Sequence, residues 1–269
     1  GVRVFSIRTV SSSEELEGLE NLQEEIWDFQ AAAISPKHIF LAAIKSGGLV
    51  LGAFKEADTL IGFALGFRGI HAGKPCLYSH LMGVSPRFQR EGLGYRLKMA
   101  QQSFSLEQGL ENILWTFDPL LAQNAQLNIH KLGAHAEEFT PNLYGSVDFE
   151  GYSRGFRTDR FTVRWAVGDK TNQNRLSYAE SVPLLGFDES GAPEICPKSF
   201  REFSSCLTIA IPLRHKEMRS RDPRLALAWQ NAVTEACSAP MNEGWSIQDF
   251  RLLDTHGEYL LVPPLPPSS

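Results

Sequence analysis

The chain has 269 residues, a formal net charge of −5 and a sequence pI near 5.8. This balance provides no overall basic field, so nucleic acid is excluded as a default partner and any bound anion needs a local site. With 43% hydrophobic residues, the sequence predicts an ordinary globular protein of one large domain or two small ones.

Signals for export, membranes and metals are weak. The first twenty residues hold four glutamates and no continuous apolar segment, which argues against a signal peptide. The sequence has no run of about 18 apolar residues that would span a bilayer. Its cysteines lack a CxxC pair or zinc-type spacing, so we expect them to be reduced and mostly buried. These features predict a cytoplasmic protein without a membrane or metal partner.

The first 168 residues alternate between strand and helix patterns. Val2–Val10 alternates apolar and polar side chains, which predicts a strand. The serines Ser11–Ser13 begin a helix, and Pro36 opens a second one. The remaining predicted elements are strands at 49–56, 60–70 and 76–84, a helix at 95–108, a strand at 112–118, a helix at 119–132 capped by Asp118, and strands at 134–140 and 160–167. The predicted order is therefore β, α, α, β, β, β, α, β, α, β, β.

A second segment follows residue 168. Residues 169–199 are rich in Pro, Gly, Asn and Ser, so we predict an irregular connection and a boundary there. Beyond it, the patterns predict a strand at 206–212, a helix at 223–242 and strands at 245–253 and 257–262. We therefore predict domain limits of 1–168 and 200–269. The β, α, β, β order of the tail suggests a partial repeat of the preceding domain's second half.

The stretch Val84–Tyr95, VSPRFQREGLGY, carries most of the functional information. It joins an apolar strand to a helix through a polar turn with glycines at 92 and 94. A helix N-terminus exposes unpaired N–H groups, and glycine lets a phosphate approach them. Arg87, Arg90 and Lys98 are expected to add local positive charge. A glycine-rich turn without a ligand explains a lone GxG equally well.

Two other phosphate-binding motifs are excluded. A Rossmann fingerprint follows the first strand of a parallel unit, whereas three antiparallel-type strands precede this turn. The segment GIHAGKP fails as a P-loop because Arg68 stands where its first glycine is required, and Pro75 where Ser or Thr is required.

The motif V-x-P-x-x-Q-x-x-G-x-G at 84–94 resembles that of the GNAT superfamily of acyl-CoA-dependent N-acyltransferases. The segment N-A-x-L-x-x-x-K-L-G at 124–133 resembles its second motif. The resemblance covers roughly residues 2–168, and longer stretches resemble an uncharacterised branch of predicted acetyltransferases. It implies an α+β (mixed α/β) GNAT fold, with a central mixed sheet splayed between strands 4 and 5 and flanked by helices. The C-terminal β-α-β-β segment is additional.

The resemblance also implies a site for acetyl-CoA or another acyl-CoA, with no metal. The turn's amides would hold the pyrophosphate, and the edge of strand 4 would pair with the pantetheine arm. Asn124 matches the family residue that contacts pantetheine. The implied CoA-binding residues are Met82, Gly83, Val84, Gln89, Arg90, Glu91, Gly92, Leu93, Gly94 and Asn124.

The catalytic residues depart from the family. The usual acid, a tyrosine four residues before the second motif's glycine, is replaced by Ile129. Tyr144 is our preferred replacement and His130 the alternative, although Tyr144 as a core-packing aromatic is equally compatible. His80 is a candidate base for the amine, with a structural hydrogen-bonding role as the alternative. Asp118 is another candidate base, and helix capping is the competing explanation.

These features predict an enzyme that transfers an acetyl or other short acyl group from CoA to a primary amine of a small molecule. A non-catalytic acyl-CoA-binding module and a succinyl-CoA-dependent amino-acid N-acyltransferase are the alternatives. The tail is compatible with covering the acceptor cleft or with forming a homodimer through an open sheet edge.

Overall fold

The computed structural model describes residues 5–10, 12–27, 34–145, 155–168 and 178–265. The chain forms two compact units. The first comprises Gly1–Trp115 with Ala166–Asp169, and the second comprises Thr116–Trp165 with Lys170–Ser269. The limits that the sequence suggested for two domains stay a prediction.

The first unit is a sheet with helices. Its strand order is β1-β2-β3-β4-β5, and all neighbours are antiparallel except the parallel pair β4 and β5. Its elements are β1 (Ser6–Thr9), α1 (Ser13–Trp27), α2 (Lys37–Lys45), β2 (Leu49–Lys55), β3 (Thr59–His71), β4 (Lys74–Val84), α3 (Leu93–Glu107) and the start of β5 (Asn112–Phe117).

Local signals explain most of these boundaries. The hydroxyl of Ser12 accepts from the amide of Glu15, whose carboxylate accepts from the amide of Ser12, and this capping box begins α1. Leu16, Leu19 and Leu22 then repeat at helical spacing and pack into an apolar cluster with α2, β2 and β3. The residues Val2–Val4 of the predicted first strand lie outside the described part of the chain.

The hairpin between β3 and β4 is tighter than predicted. The sequence suggested a loop from His71 to Pro75, but only Ala72 and Gly73 separate the two strands. Both have positive φ, 48° and 78°, as a two-residue hairpin turn requires. The non-glycine at the first turn position concealed this turn in the sequence.

The second unit contains the remaining strands. Its strand order is β7-β6-β11-β12-β10-β8-β9, in which only β8 and β10 are parallel neighbours. After the end of β5 its elements are α4 (Ala122–Ala125), a π-helical segment (Gln126–Lys131), β6 (His135–Thr140), β7 (Arg160–Ala166), β8 (Val182–Phe187), β9 (Pro193–Ile195), β10 (Leu207–Pro212), α5 (His215–Arg221), α6 (Pro223–Asn242), β11 (Ser246–Leu252) and β12 (His256–Val262).

Two expectations for this unit were wrong. The helix predicted at 119–132 begins only at Ala122 and continues as a π-helix. Asp118 does not cap it, because its Oδ1 atom accepts from the amide of Leu120 in a local turn, 2.8 Å away. The stretch predicted as an irregular connection contains β8 and β9, and β8 pairs with β10, a partner distant in sequence. Residues 169–177 of that stretch lie outside the described residues.

The C-terminal segment repeats an element order. After β10 come the helices α5 and α6 and then β11 and β12, while after β5 come α4 with its π-helical continuation and then β6 and β7. The hairpins β6–β7 and β11–β12 meet edge to edge, since Ile247 of β11 pairs antiparallel with Ala136 of β6. This shared order supports the predicted partial repeat, which stays a prediction.

Candidate active site

The parallel pairing of β4 with β5 is short. It joins Cys76 to Asn112, Leu77 to Ile113, and Tyr78 to Leu114, while β4 continues to Val84 along β3. Within the described residues the β4–β5 register therefore ends six residues before β4 does. We call the point after Tyr78 and Leu114 the fork. The splay between strands 4 and 5 that the resemblance implied begins there.

A β-bulge lies at the same level of β4. Leu65 pairs with Leu81 and Gly66 pairs with Ser79, so His80 is the extra residue. A bulge of this kind bends a strand and changes which side chains share a face. Leu81 packs on the α1–α2 cluster together with Phe67, which His80 also contacts. A regular strand would place Tyr78, His80 and Met82 on one face, and the bulge interrupts this alternation.

Past Val84 the chain enters an open turn that leads into α3. Arg90 and Gly92 have positive φ, 67° and 78°, and Gly92 is the N-cap residue. A Cβ atom at Gly92 would meet no atom of the described residues within 4 Å. The first helical bond runs from the amide of Arg96 to the carbonyl of Gly92, so the amides at 93–95 have no acceptor inside the helix.

Side chains around the turn hold its backbone. The side-chain amide of Gln89 donates to the backbone carbonyl of Val84 over 3.2 Å. Ser85 is anchored twice, through its amide to Ile61 and through its hydroxyl to Glu25. Arg90, Glu91 and Gly92 are exposed, whereas Leu93 is buried. The predicted pyrophosphate-binding segment is therefore exposed at residues 90–92, while Leu93 faces the core.

Gly83 has a packing explanation of its own. A Cβ atom there would come within 2.8 Å of Ile26 Cδ1 and 3.2 Å of the Trp27 ring. The glycine therefore permits the close approach of α1 to β4. Met82 and Val84 are half-buried on the same strand segment.

His80 is exposed, and its ring lies 5.7 Å from that of Phe67 and 6.3 Å from that of Tyr78. Partial desolvation lowers its pKa below the ordinary value for histidine. The ring is consequently neutral at neutral pH, which is the form that accepts a proton.

Lys98 does not point toward the turn, contrary to our expectation. Its side chain is 2% exposed. The Nζ atom donates to Ser79 Oγ across 3.0 Å and lies 3.6 Å from the centre of the Trp115 ring. Burial lowers the pKa of this ammonium to about 7. The sequence signal that could have located it is a lysine next to Leu97 on the buried face of α3.

Tyr144 lies in the second unit, in a loop fixed to the segment before β7. Its amide donates to Thr158 Oγ1, and its hydroxyl lies 3.1 Å from Thr116 Oγ1. The guanidinium of Arg160 is 5.4 Å from the ring centre. The side chain is 44% exposed, so the phenol does not pack into the core.

Asp118 is buried in an ion pair. Its Oδ2 atom accepts from Arg219 over 2.7 Å. Arg219 also donates to His215, whose other ring nitrogen lies 2.9 Å from the carbonyl oxygen of Ala226. These contacts give Asp118 a structural role in tying the start of α4 to α5.

The second motif is partly buried. Asn124 is exposed on α4, while Ile129, at the position of the family's tyrosine, is 1% exposed. The Nδ1 atom of His130 lies 3.1 Å from Asp249 Oδ1 on β11. His130 is therefore oriented by a carboxylate, an arrangement that the sequence did not suggest.

Neither a metal-binding cluster nor a membrane-spanning helix occurs in the described residues. The described residues contain no group of three or more His, Cys, Asp or Glu side chains that would hold a metal ion. In the same part of the chain, no helix is long and apolar enough to cross a bilayer. The four cysteines are unpaired, with Cys76 and Cys237 buried and Cys196 and Cys206 half-buried.

A strand that parts from its parallel neighbour and leads through an open turn into a helix is the arrangement that the resemblance to the GNAT superfamily implies. Residues 16–134 match the model of the Acetyltransferase (GNAT) family. The match bears out the predicted resemblance to this family, together with the fold and the class of enzyme. No curated protein matched the chain.

Solved structures that are similar to part of the chain include the following three. The ribosomal-protein-S18-alanine N-acetyltransferase from Escherichia coli is 15% identical over 65% of this chain and 100% of its own, with a TM-score of 0.48. Ard1 from Thermoplasma volcanium is 18% identical over 61% and 97%, with a TM-score of 0.48. NAA60 from Arabidopsis thaliana, solved with acetyl-CoA, is 12% identical over 61% and 100%, with a TM-score of 0.49.

Proposed function

We propose that the protein transfers an acetyl or other short acyl group from CoA to a primary amine of a small molecule, by direct attack of the amine on the thioester. The observation that carries this proposal is the open N-terminus of α3, reached from β4 beyond the last residue that pairs with β5. A diphosphate and an extended arm require these two features side by side.

The donor would bind through the main chain. Amides of the segment 89–94 would hold the pyrophosphate, since Gly92 leaves their approach unobstructed. The edge of β4 at Met82–Val84 would pair with the pantetheine amides as an added strand does. Asn124 on α4 would contact the same arm.

The reaction needs a neutral amine and a stabilised oxyanion. A lysine-like amine has a pKa of about 10.4, so a base must remove its proton. His80 is our candidate because its ring is exposed and its pKa is lowered by partial burial. A β4 amide near Met82 or Val84 would donate to the thioester oxygen as charge develops there.

Fewer observations bear on the identity of the acid that protonates the departing thiolate. Tyr144 has an exposed phenol and remains a candidate, with His130 as the alternative. Asp118 is the weakest candidate base, because its carboxylate is engaged by Arg219. A cytoplasmic location, a homodimer and a cleft covered by the C-terminal segment stay predictions.

One observation favours a second function. The buried Ile129 at the family's tyrosine position is what a non-catalytic acyl-CoA-binding module would tolerate. A succinyl-CoA-dependent amino-acid N-acyltransferase would have the same donor site with a different acyl group and acceptor.

Thiol release separates these functions. Purified protein is mixed with acetyl-CoA or succinyl-CoA and a panel of small amines, amino acids and short peptides, and free CoA is followed with a chromogenic thiol reagent. Amine-dependent release with a small amine supports the proposal. Preference for succinyl-CoA with an amino acid, or for a peptide, would replace it with that acceptor class.

A control without amine measures hydrolysis of the thioester. A parallel calorimetric titration measures CoA binding. Saturable binding without amine-dependent thiol would establish the binding module, and absence of binding would refute both functions.

A further inference from the structure

The Lys98 ammonium occupies the fork between β4 and β5. The last residues that pair are Tyr78 and Leu114. The next residue on each strand is Ser79 or Trp115, and the Nζ atom of Lys98 contacts both, at 3.0 Å and 3.6 Å. The side-chain amide of Gln101, one turn further along α3, also contacts Ser79 Oγ, with its Nε2 atom at 2.9 Å and its Oε1 atom, which accepts from the hydroxyl, at 3.1 Å. One buried cation therefore lies where the two strands part.

The burial of this lysine calls for a reason. A lysine side chain is almost never fully buried unless it is paired. Among the described residues, no carboxylate forms an ion pair with Lys98, and its recorded partners are a hydroxyl and an aromatic ring. A leucine or methionine would fill the same space without the desolvation cost.

The position matches an expected need of the reaction. If the pyrophosphate lies at the turn, the pantetheine arm runs back along β4 from Val84 toward Ser79. These five residue steps correspond to about 17 Å of extended strand. The arm ends in the thioester sulfur, so the sulfur would approach the fork. The acid that the family places on the second motif is absent here, because Ile129 occupies its position.

We propose that Lys98, acting through the hydroxyl of Ser79, supplies the proton that the CoA thiolate takes up as it leaves. This inference rests on the proposed function. Lys98 is thus a positioning and proton-supplying residue, and Ser79 Oγ is the atom that faces the sulfur.

The amine nitrogen forms a bond to the thioester carbon, and collapse of the adduct breaks the C–S bond, with the electron pair leaving on sulfur. Ser79 donates its proton to sulfur while its oxygen takes one from the Lys98 ammonium. The proton that the amine loses goes to the base and then to solvent, and solvent returns one to Lys98.

The energetics favour this direction. A free thiol has a pKa of about 8.5, and burial lowers the pKa of Lys98 to about 7. Proton transfer from Lys98 to the thiolate is therefore downhill, and the acid is still partly protonated near neutral pH.

Other ionisable groups lie on the strands that pack against α3. On β4 they are Lys74, which pairs with Glu111, and Cys76, Tyr78 and His80. Burial raises the pKa of Cys76 and lowers that of His80. The described part of β5 in this unit carries no ionisable side chain. The charged residues of β1, β2 and β3 comprise Arg8, Lys55, Arg68 and His71, of which Arg8 bonds to Glu15 and Arg68 to Gln108. None of these groups contributes to the lowered pKa of Lys98, whose cause is desolvation.

The test is the pH dependence of turnover in Lys98→Met, Lys98→Arg and Ser79→Ala. We expect Lys98→Met and Ser79→Ala to lower kcat about 100-fold, to leave KM for acetyl-CoA unchanged and to abolish the alkaline limb of the kcat profile. Arginine keeps the charge but holds its proton, with a pKa above about 12, so Lys98→Arg should be as slow as Lys98→Met.

Ser105→Ala is the matched control. Ser105 is buried on the same face of α3, and its hydroxyl has no recorded hydrogen-bond partner among the described residues. We expect kcat and its alkaline limb to be unchanged in this variant. Thermal unfolding of each variant verifies that it folds, and Ser79→Ala, the smallest change, decides the question if Lys98→Met is unstable.

Each outcome has one meaning. If wild-type protein shows no amine-dependent turnover, the proposed function fails and this inference fails with it. If wild type turns over while Ser79→Ala and Lys98→Met keep its kcat and alkaline limb, only this inference is overturned. Recovery of kcat by Lys98→Arg would also overturn it, in favour of a role for charge alone.

Discussion

The guanidinium of Arg219 donates to the carboxylate of Asp118 across 2.7 Å, and the two side chains are only 6% and 4% exposed. They are 101 residues apart in sequence. A pair buried to this degree is costly to break, because the remaining partner keeps its charge in a poorly solvated position.

We therefore expect Arg219→Met to lower the free energy of unfolding by about 3–5 kcal/mol. Urea denaturation at neutral pH measures this loss. Lys74→Met is the control, since Lys74 pairs with Glu111 at an exposed site and should cost less than about 1 kcal/mol. Equal losses in the two variants would contradict a structural role for Asp118. An Asp118→Asn variant with unchanged stability and lost activity would instead favour a catalytic role.

Gly92 and Gly109 provide a matched test of the phosphate turn. They flank the same helix, have φ of 78° and 64°, and have open space where a Cβ would lie. Alanine at either position costs about 1–2 kcal/mol of backbone strain. Only at Gly92 would the added methyl obstruct a phosphate.

We expect CoA to raise the Tm of wild type and of Gly92→Ala to different extents. At a CoA concentration about 100 times Kd, binding adds about 2.7 kcal/mol to the stability of a competent protein. Gly109→Ala should keep this protection and Gly92→Ala should lose most of it. Similar protection of both variants would place the diphosphate elsewhere.

His80 as a base predicts a specific acid limb. Because partial burial lowers its pKa, kcat/KM should fall only below the free histidine value of about 6.5. His80→Gln should lose about 100-fold in kcat/KM and should lose this limb as well. His38→Gln, which changes an exposed histidine on α2, is the control and should behave like wild type. A His80→Gln variant that retains the limb would show that another group accepts the proton.

A catalytic role of the Tyr144 phenol can be separated experimentally from the effect of its hydrogen bond to Thr116. Its hydroxyl lies 3.1 Å from Thr116 Oγ1, a contact worth about 1 kcal/mol. If the phenol protonates the thiolate, Tyr144→Phe should lower kcat about 100-fold, whereas Thr116→Val, which removes the same contact, should not. Equal and small effects would leave Tyr144 a structural residue and would strengthen the assignment of Lys98.

Stability should depend on pH through Lys98. Its pKa is about 7 in the folded protein and about 10.4 when unfolded. Between these pH values the unfolded chain binds more protons than the folded protein. The free energy of unfolding therefore rises with pH in this range, and it decreases again as the pH falls toward 7. The slope contributed by this residue approaches 1.4 kcal/mol per pH unit and vanishes below the folded pKa.

The measurement is a series of urea denaturations from neutral to alkaline pH, with wild type compared with Lys98→Met. We expect the difference between the two curves to grow by this slope. Lys74→Met, at an exposed site, should run parallel to wild type. A Lys98→Met curve parallel to wild type would show that the lysine is solvated.

Local sequence signals determined much of the secondary structure. α6 spans Pro223–Asn242 as predicted, because Pro223 stands at the first helical position and the Asp222 carboxylate accepts from the amide of Leu225. The strand-to-helix turn at Gly92 could also be predicted from the sequence, because glycine is favoured where φ is positive and a helix begins directly after it. The length of α3 and the order of the first eleven elements follow from the same local rules.

Other features depended on contacts between distant segments. The sequence did not predict β8, because its partner β10 lies more than 20 residues further along the chain. A local pattern of apolar residues does not reveal such a pairing. The helical spacing put Lys98 on α3 but left its direction open, and only the packed structure brings its Nζ atom to Ser79 at the fork. Sequence alone thus specified which residues form helices, strands and turns. Packing decided which charged groups are buried and what they contact, because burial depends on partners that the chain brings together only when it folds.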